Sequence, residues 1–268
     1  MGKIDFTGSK QIIGMIHTLP LPGTMNYGGD MAAVTARALE DLESLQAAGV
    51  DAVIVENFCD KPAGTKLKPE QLAALTAVSA AVMRQSTIPV GIDAAFCDPV
   101  ASLAIAVAVG AKFIRVPVFV DTVITADGIV TPCAVELQRY RTLLGAQDIA
   151  LLCDIQTKHT FMLNSDIPIE ESAAMAQASG ADAIIITGAH TGSATPVETL
   201  RKVRAAADLP IIAGSGVKAG NVTEQLSLVD AAIVGSAMKK HGKAEEPIDG
   251  TLAMTLMEKV RAFRAANA

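Results

Sequence analysis

The feature that most restricts the fold of this chain is the alternation of eight short apolar runs with longer segments of helical spacing. In one such segment Leu252, Leu256 and Val260 recur every four residues, which is typical of one face of a helix. Continuous apolar runs are typical of parallel strands that helices cover on both sides. The predicted strands are residues 11–17, 51–57, 89–95, 112–118, 149–155, 182–188, 210–214 and 231–235.

Eight strand–helix units in 268 residues predict a closed (β/α)8 TIM barrel that forms a single domain over residues 1–268. An open doubly wound sheet is the alternative, but the dinucleotide-binding fingerprint expected after an early strand is missing. A short motif, in which a helix ends and a strand follows, begins at residues 49, 110, 180 and 228. This internal repetition favours a barrel assembled from duplicated two-unit pieces.

The connections between the predicted elements differ in length at the two ends of the strands. Helix-to-strand connections such as 47–51 are tight, whereas the strand-to-helix connections 18–30, 58–69 and 156–168 are long. In a barrel the long loops lie at the C-terminal face, where active sites are built. A further long connection, 119–132, contains Asp127-Gly128 and predicts a small hairpin inserted in the barrel.

Local signals place the helix ends and the short turns. Asp98 followed by proline, and the segment 195–198, predict helix starts, the second as a capping box. We expect Asp51, Asp182 and Asp230, at the N-terminal ends of their strands, to have turn or capping roles.

Composition excludes several classes of protein. The net charge of -6 offers no basic surface for nucleic acid. The N-terminus is too polar for a signal peptide, and no apolar run reaches the roughly 18 residues of a membrane span. The four cysteines form no CxxC pair, so we expect reduced thiols in a cytoplasmic protein. Alanine-rich helices over 31–48 and 70–83 could pack against a second subunit in a homo-oligomer.

Ionisable side chains stand near the C-terminal ends of the predicted strands, where burial is costly unless they are paired or functional. We predict that Asp154 and Glu56 form an acid–base pair, because strand alternation points both into the barrel mouth. Asp93 and His17 would orient one of them or hold a divalent metal, and no other cofactor is indicated. Lys158 is a candidate electrophile or Schiff-base lysine.

The same residue types also allow a purely structural interpretation. Arg115 could pair with Asp93, Glu56 or Asp154 in a buried ionic network, since buried charges usually find partners. His17 could be a core histidine, and Lys158 a loop lysine that faces solvent.

Two glycine turns predict a phosphate site. Gly214-Ser215-Gly216 and Gly235-Ser236 follow the seventh and eighth predicted strands, whose loops commonly bind phosphate in barrels. Two ordinary tight turns are the alternative. Lys218 and Lys239 could add positive charge or be solvated helix residues. The predicted substrate-binding set is Asn57, Arg115, Thr187, His190, Gly214, Ser215, Gly216, Gly235 and Ser236.

Six segments of the chain together resemble the BtpA/SgcQ family. They are IIGMIHTLPLPGT (12–24), GVDAVIVENFCDKP (49–62), GAKFIRVPVF (110–119), GADAIIITGAHTG (180–192), GSGV (214–217) and VGSAMKK (234–240). The run around His17 is the most specific, although Thr18 replaces the leucine usual in the family. The resemblance covers essentially the whole chain and implies a TIM barrel.

The resemblance implies no single activity. One branch of the family is associated with stabilising photosystem I at thylakoid membranes, and another occurs with sugar-metabolism genes. Two functional hypotheses therefore remain. The first is an enzyme that isomerises, epimerises, cleaves or hydrolyses a small phosphorylated metabolite such as a sugar phosphate. The second is a non-catalytic binding or assembly factor. The polar cluster at the strand ends favours the enzyme, because an assembly factor would not need it.

Overall fold

The computed structural model describes residues 4–7, 10–188 and 195–267, and eight of its strands close into a parallel barrel. In chain order the strands are β1 Gln11–His17, β2 Ala52–Glu56, β3 Val90–Asp93, β4 Phe113–Val116, β5 Val123–Thr125, β6 Gly128–Val130, β7 Ala150–Asp154, β8 Phe161–Met162, β9 Ala183–Ile186, β10 Ile211–Ala213 and β11 Ala231–Val234. The barrel order is β1-β11-β10-β9-β7-β4-β3-β2, and β2 pairs with β1 to close it. The predicted fold class is confirmed.

Helices surround the barrel and alternate with its strands. They are α1 Met31–Ala48, α2 Pro69–Gln85, α3 Pro99–Val109, α4 Ala134–Leu143, α5 Ile169–Ala178, α6 Val197–Ala206, α7 Val222–Leu228 and α8 Gly250–Ala266, with two 3-10 turns at Ser236–Met238 and Lys240–Gly242. Asp98 caps α3 as predicted, by accepting from the backbone N–H of Ala101. The capping box predicted for α6 is wrong, because the Thr195 hydroxyl donates instead to the carbonyl of Ile186.

The barrel interior is filled by side chains from alternate strand positions. On β7, Leu152 belongs to the interior cluster, whereas Leu151 and Cys153 pack outward against the helices. Gly91 leaves room for the ring of Phe113, because a Cβ at that position would overlap the ring. The ring of Phe6 packs edge-on against Phe113, with centroids 5.9 Å apart, and covers the N-terminal end of this core.

The predicted hairpin forms, but it is part of a larger sheet. Strands β5 and β6 pair antiparallel across Asp127-Gly128, with Val123 opposite Val130. Strand β8, from the connection after β7, adds a third antiparallel strand on the other side of β5. The two-residue strand β8 carried no periodic signal, so the sequence did not predict it.

Aspartates at the N-terminal ends of three strands were expected to have turn or capping roles, but their side chains instead join each strand to its neighbour. The carboxylate of Asp182 accepts from the backbone N–H of Leu151 and from the guanidinium of Arg141, both at 2.9 Å. Asp51 does the same with Ile12 and Arg264, and Asp230 with Ile211 and Arg204. The three ion pairs Asp51–Arg264, Asp182–Arg141 and Asp230–Arg204 are called the basal ion pairs below.

The described helices contain no segment long and apolar enough to cross a membrane.

Candidate functional site

A cavity of about 890 Å³ opens at the C-terminal ends of the barrel strands. Its lining comes from strands β1 to β4 and β11 and from the connections after β2, β3, β4, β7, β10 and β11. Met15 and Ile233, which belong to the interior core, also line the cavity. Several ionisable residues lie in or directly behind its wall. The six near the strand ends that the sequence singled out are called the mouth cluster below: His17, Glu56, Asp93, Arg115, Asp154 and Lys158.

The centre of the mouth cluster is a bidentate ion pair. Arg115 donates from Nε and from one terminal nitrogen to the two carboxylate oxygens of Asp154, each at 2.9 Å. Asp154 is fully buried and is not among the residues that line the cavity within the described ranges. The other terminal nitrogen of Arg115 lies 3.7 Å from Asp93. Asp154 therefore fixes the guanidinium, and Arg115 and Asp93 face the cavity.

Glu56 and His17 form the second pair, on adjacent strands. Nε2 of His17 lies 3.5 Å from the Glu56 carboxylate, and the ring stacks on Phe58. Nδ1 lies 2.7 Å from the carbonyl oxygen of Ala244, which can only accept, so Nδ1 carries a proton. Burial raises the pKa of Glu56, but the hydrogen bond and charge of His17, with Arg115 and Lys158, outweigh it and leave that pKa below its ordinary value.

Asp93 has the opposite electrostatic environment. Burial and the negative charge of Glu56 hold its pKa well above the ordinary value, although Arg115 opposes them. One of its carboxylate oxygens, Oδ1, is buried without a hydrogen-bond partner among the described residues. Since Glu56 and Asp93 are register partners on β2 and β3, the site holds two neighbouring carboxyl groups with pKa values moved apart.

Lys158 lies in the connection after β7 and lines the cavity. Its backbone N–H donates to the hydroxyl of Thr187, at 3.0 Å. Thr187 therefore supports this loop. It is not among the described residues that line the cavity. Burial and the like charge of Arg115 lower the pKa of Lys158, against the carboxylates of the mouth cluster.

The two predicted phosphate turns both line the cavity, on the side of β10 and β11. No hydrogen bond is found within the described ranges for the backbone N–H groups of Gly216, Val217, Gly235 and Ser236. Gly216 has a φ of 72°, which favours glycine. Gly214 is required for another reason, because a Cβ there would overlap Ile185 on β9. The hydroxyl of Ser215 accepts from Gly188 and joins this turn to the connection after β9.

Other predicted residues have structural partners. The amide of Asn57 donates to Asp60 at 2.7 Å and accepts from the backbone N–H of Ala95 at 2.8 Å, so it braces the wall that it lines. Asp60, which the sequence did not single out, also accepts from Leu21 and Gln71.

Of the two candidate phosphate lysines, only one lies at the cavity. Lys218 lines the cavity and is exposed. Lys239 is fully buried beside Asp41, with Nζ and the carboxylate 3.5 Å apart, and is neither at the cavity nor solvated, so both predicted alternatives were wrong for it. His190 lies outside the described residues.

A metal site was predicted only as an alternative use of Asp93 and His17. Across the described residues, no group of three or more His, Cys, Asp or Glu side chains is arranged to hold a metal ion.

The fold and the charged cavity define a TIM-barrel protein with a small-molecule-sized site at its C-terminal face. The BtpA family model matches residues 8–262, and the chain belongs to the BtpA family. It is 36% identical over 246 residues to the photosystem I biogenesis protein BtpA of Synechocystis, covering 91% of this chain and 85% of the relative. An uncharacterized protein of Pyrococcus furiosus is 36% identical over 249 residues, covering 92% and 93%.

Solved structures of low sequence identity share the fold. The N-(5'-phosphoribosyl)anthranilate isomerase of Pyrococcus furiosus aligns with a TM-score of 0.57 at 15% identity, covering 96% of this chain and 99% of that chain. The (S)-3-O-geranylgeranylglyceryl phosphate synthase of Thermoplasma acidophilum, in complex with sn-glycerol-1-phosphate, aligns with a TM-score of 0.61 at 14% identity, covering 96% and 95%.

Proposed function

We propose that this protein is an enzyme that performs acid–base chemistry on a small phosphorylated metabolite, with a sugar phosphate as the substrate class. The observation that carries the proposal is the pairing of Glu56 with Asp93 in one cavity, where their pKa values are moved in opposite directions. Two titratable groups whose environments separate their pKa values are the usual basis of an acid and a base in one site.

The proposed roles follow from these environments. Glu56, ionised, is the base that removes a proton next to a carbonyl or hydroxyl group, and His17 positions it. Asp93, protonated, is the acid. Its buried Oδ1, which has no hydrogen-bond partner among the described residues, is the atom that would meet the substrate. This division revises the predicted Asp154–Glu56 pair, because Arg115 occupies both oxygens of Asp154. Asp154 then positions Arg115, which binds substrate oxygen atoms.

The phosphate would bind across the cavity from the carboxyl groups. The N–H groups of Gly216, Val217, Gly235 and Ser236, which have no hydrogen-bond partner among the described residues, would be the donors for an anion. Lys218, also at the cavity, would add positive charge. The sn-glycerol-1-phosphate complex of a protein with the same fold supports a phosphorylated ligand. Isomerisation, epimerisation, aldol cleavage and phosphate-ester hydrolysis all suit this arrangement.

A thermal-shift screen with inorganic phosphate, pentose phosphates, hexose phosphates and the unphosphorylated sugars tests the phosphate site. A ligand at 100 times its dissociation constant should stabilise the protein by about 2.7 kcal/mol. The substitution Ser236→Glu places a negative charge at the turn and should abolish the response. Ser227→Glu makes the same change on the exposed surface of α7 and should preserve it. Equal stabilisation by phosphorylated and unphosphorylated sugars would refute the phosphate site.

The acid–base roles are tested by hydrogen exchange in D₂O. Proton NMR of each stabilising sugar phosphate should show loss of the signal next to its carbonyl when the protein is added. Glu56→Gln should slow this exchange by roughly 10²-fold or more, the usual contribution of a general base. Exchange at the wild-type rate in Glu56→Gln would refute the assignment of Glu56 as the base.

A binding or assembly function is the second candidate. It is supported by the similarity to the photosystem I biogenesis protein of Synechocystis and by apolar side chains on the three-stranded sheet. Ile129 and Phe161 on this sheet are 62% and 77% exposed. In this case Ile129→Ser with Phe161→Ser would abolish function in a deletion strain, whereas Glu56→Gln would leave it intact. The opposite result supports the enzyme.

The remaining predictions concern the setting of the protein. We propose a cytoplasmic homo-oligomer with a small-molecule partner and no nucleic-acid partner. Cell fractionation tests the compartment, and light scattering of the purified protein tests the oligomer. A monomer mass in light scattering would refute the proposed homo-oligomer.

A further inference from the structure

Burial lowers the pKa of two lysine side chains, and the two have different surroundings. Nζ of Lys239 lies 3.5 Å from the carboxylate of Asp41 and 3.1 Å from the carbonyl of Glu246, away from the cavity. Lys158 lines the cavity, and no hydrogen bond or ion pair of its ammonium group is found in the described part of the chain. Lys239 is therefore held by structural partners, whereas Lys158 lines the cavity and its charge interacts with Arg115 and the carboxylates of the mouth cluster.

The loop that carries Lys158 is held in an unfavourable backbone conformation. Gln156 and His159, on either side of it, have φ values of 43° and 61°, which non-glycine residues seldom adopt. Hydrogen bonds from successive residues of the loop help to hold this conformation. The N–H of Gln156 donates to Asp121, the hydroxyl of Thr157 to Asp154, and the N–H of Lys158 to Thr187. Strain of this kind is typical of residues whose position serves a function.

A purely electrostatic role for Lys158 is not needed at this position. Arg115 already supplies a permanent positive charge to the same cavity, because a guanidinium does not lose its proton in proteins. The ammonium group of Lys158 would add little to the positive charge that Arg115 already supplies. What Lys158 adds is an amine that can become neutral, and hence a nucleophile.

We propose that Lys158 forms an imine with a carbonyl carbon of the substrate, which narrows the substrate class to phosphorylated ketones and aldehydes. The inference rests on the proposed function for the phosphate group and for the roles of Glu56 and Asp93. It adds a covalent step that acid–base chemistry alone does not require.

The step balances with the groups present. The neutral amine of Lys158 attacks the carbonyl carbon, a C–N bond forms, and the carbonyl oxygen receives the proton that nitrogen releases. The resulting hydroxyl then takes a proton from Asp93 and leaves as water, so the C–O bond breaks and an iminium forms. Asp93 ends as a carboxylate close to the new positive charge. Glu56 can then remove a proton from the neighbouring carbon, because the iminium withdraws electrons from it.

Reductive trapping tests the imine. The full-length protein is incubated with dihydroxyacetone phosphate or dihydroxyacetone and sodium cyanoborohydride, and adducts are located by intact mass and peptide mapping. We expect one adduct, equal to the probe less one oxygen atom, on Lys158. Lys66→Gln, which changes another cavity lysine, should keep this adduct, and Lys158→Gln should reduce total labelling by at least about tenfold. Labelling should reach half its maximum below the ordinary lysine pKa of about 10.4.

Lys158→Arg separates this proposal from the proposed function. It keeps the positive charge but cannot form the imine, so it should still be stabilised by inorganic phosphate in a thermal shift while showing no adduct. Wild-type protein that binds dihydroxyacetone phosphate and gives no adduct overturns the imine and leaves the proposed function standing. An equal adduct on Lys158 from dihydroxyacetone supports the imine and counts against the phosphate site. Labelling that is spread over several lysines and unchanged in Lys158→Gln overturns the imine.

Discussion

The two ends of the barrel use the same residue types in different ways. At the N-terminal end, each basal ion pair joins one carboxylate to one arginine and also accepts a strand N–H, as Asp182 does with Arg141 and Leu151. At the C-terminal end, Arg115 faces both Asp154 and Asp93, and one oxygen of Asp93 has no described partner. The basal ion pairs satisfy their charges, whereas the mouth cluster leaves groups that a ligand can complete.

This contrast separates stability from function. Three repeated pairs at one end hold neighbouring strands and helices together, and none of their residues lines the cavity. Their carboxylates are bonded, although Nε of Arg264 is buried without a described partner. A buried carboxylate oxygen without a described partner is costly, so Oδ1 of Asp93 at the other end indicates use. The comparison can be tested by substitutions that should affect one property and spare the other.

The largest effect is expected from Arg115→Met. It leaves the fully buried Asp154 without its partner, and breaking a buried pair in this way costs about 4 kcal/mol. The double variant Arg115→Met with Asp154→Leu removes both charges and should recover most of that loss, yet give no thermal shift with phosphorylated sugars. Urea unfolding measures the stabilities. A double variant as unstable as the single one would show that the pair is structural, like the basal ion pairs.

Arg141→Ala should have the next largest effect, at about 3 kcal/mol of unfolding free energy. It removes a partner of Asp182 and the donor to the carbonyls of Ala146, Gln147 and Ile149. Ligand binding by the surviving folded protein should be unchanged.

The matched control for Arg141→Ala is Arg139→Ala, since Arg139 lies on the same helix and is exposed. Urea unfolding of this variant should stay within about 0.5 kcal/mol of the wild type. Equal losses in the two variants would contradict the role assigned to the basal ion pairs.

The smallest effect is expected from Asp93→Asn, which should raise the free energy of unfolding by on the order of 1 kcal/mol at neutral pH. The pKa of Asp93 in the folded protein lies above its value in the unfolded chain. Asp93 therefore does not change the free energy of unfolding below about pH 3.9, and it lowers that free energy increasingly as the pH rises above this value. The gain should therefore grow between pH 4.5 and pH 7 in urea unfolding.

Glu56→Gln should show the opposite pH dependence. Its folded pKa is lowered, so Glu56 stabilises the protein above the ordinary glutamate pKa and loses that contribution as pH falls. The variant should be less stable than wild type at pH 7 and approach it toward pH 4. Stability differences that do not change with pH in either variant would refute the separated pKa values.

The sequence predicted what depends on local pattern and failed where distant residues meet. Strand positions and the helix cap at Asp98 follow from periodicity and from residue type, so they could be predicted. The burial of Lys239 could not, because its partner Asp41 lies 198 positions away in the chain. The polar side chains at the mouth were found as a group, but which oxygen stays unpaired at Asp93 depends on three-dimensional contacts.

The packed interior beneath the cavity governs how molecules would enter and leave it. Met15 and Ile233 form the floor, and the Phe113 and Phe6 rings fill the barrel below it, so the described cavity has a closed bottom. A bound molecule would therefore leave through the C-terminal face of the barrel, where it entered. In the proposed enzyme, substrate and product would therefore compete for the same cavity, and accumulated product should act as a competitive inhibitor.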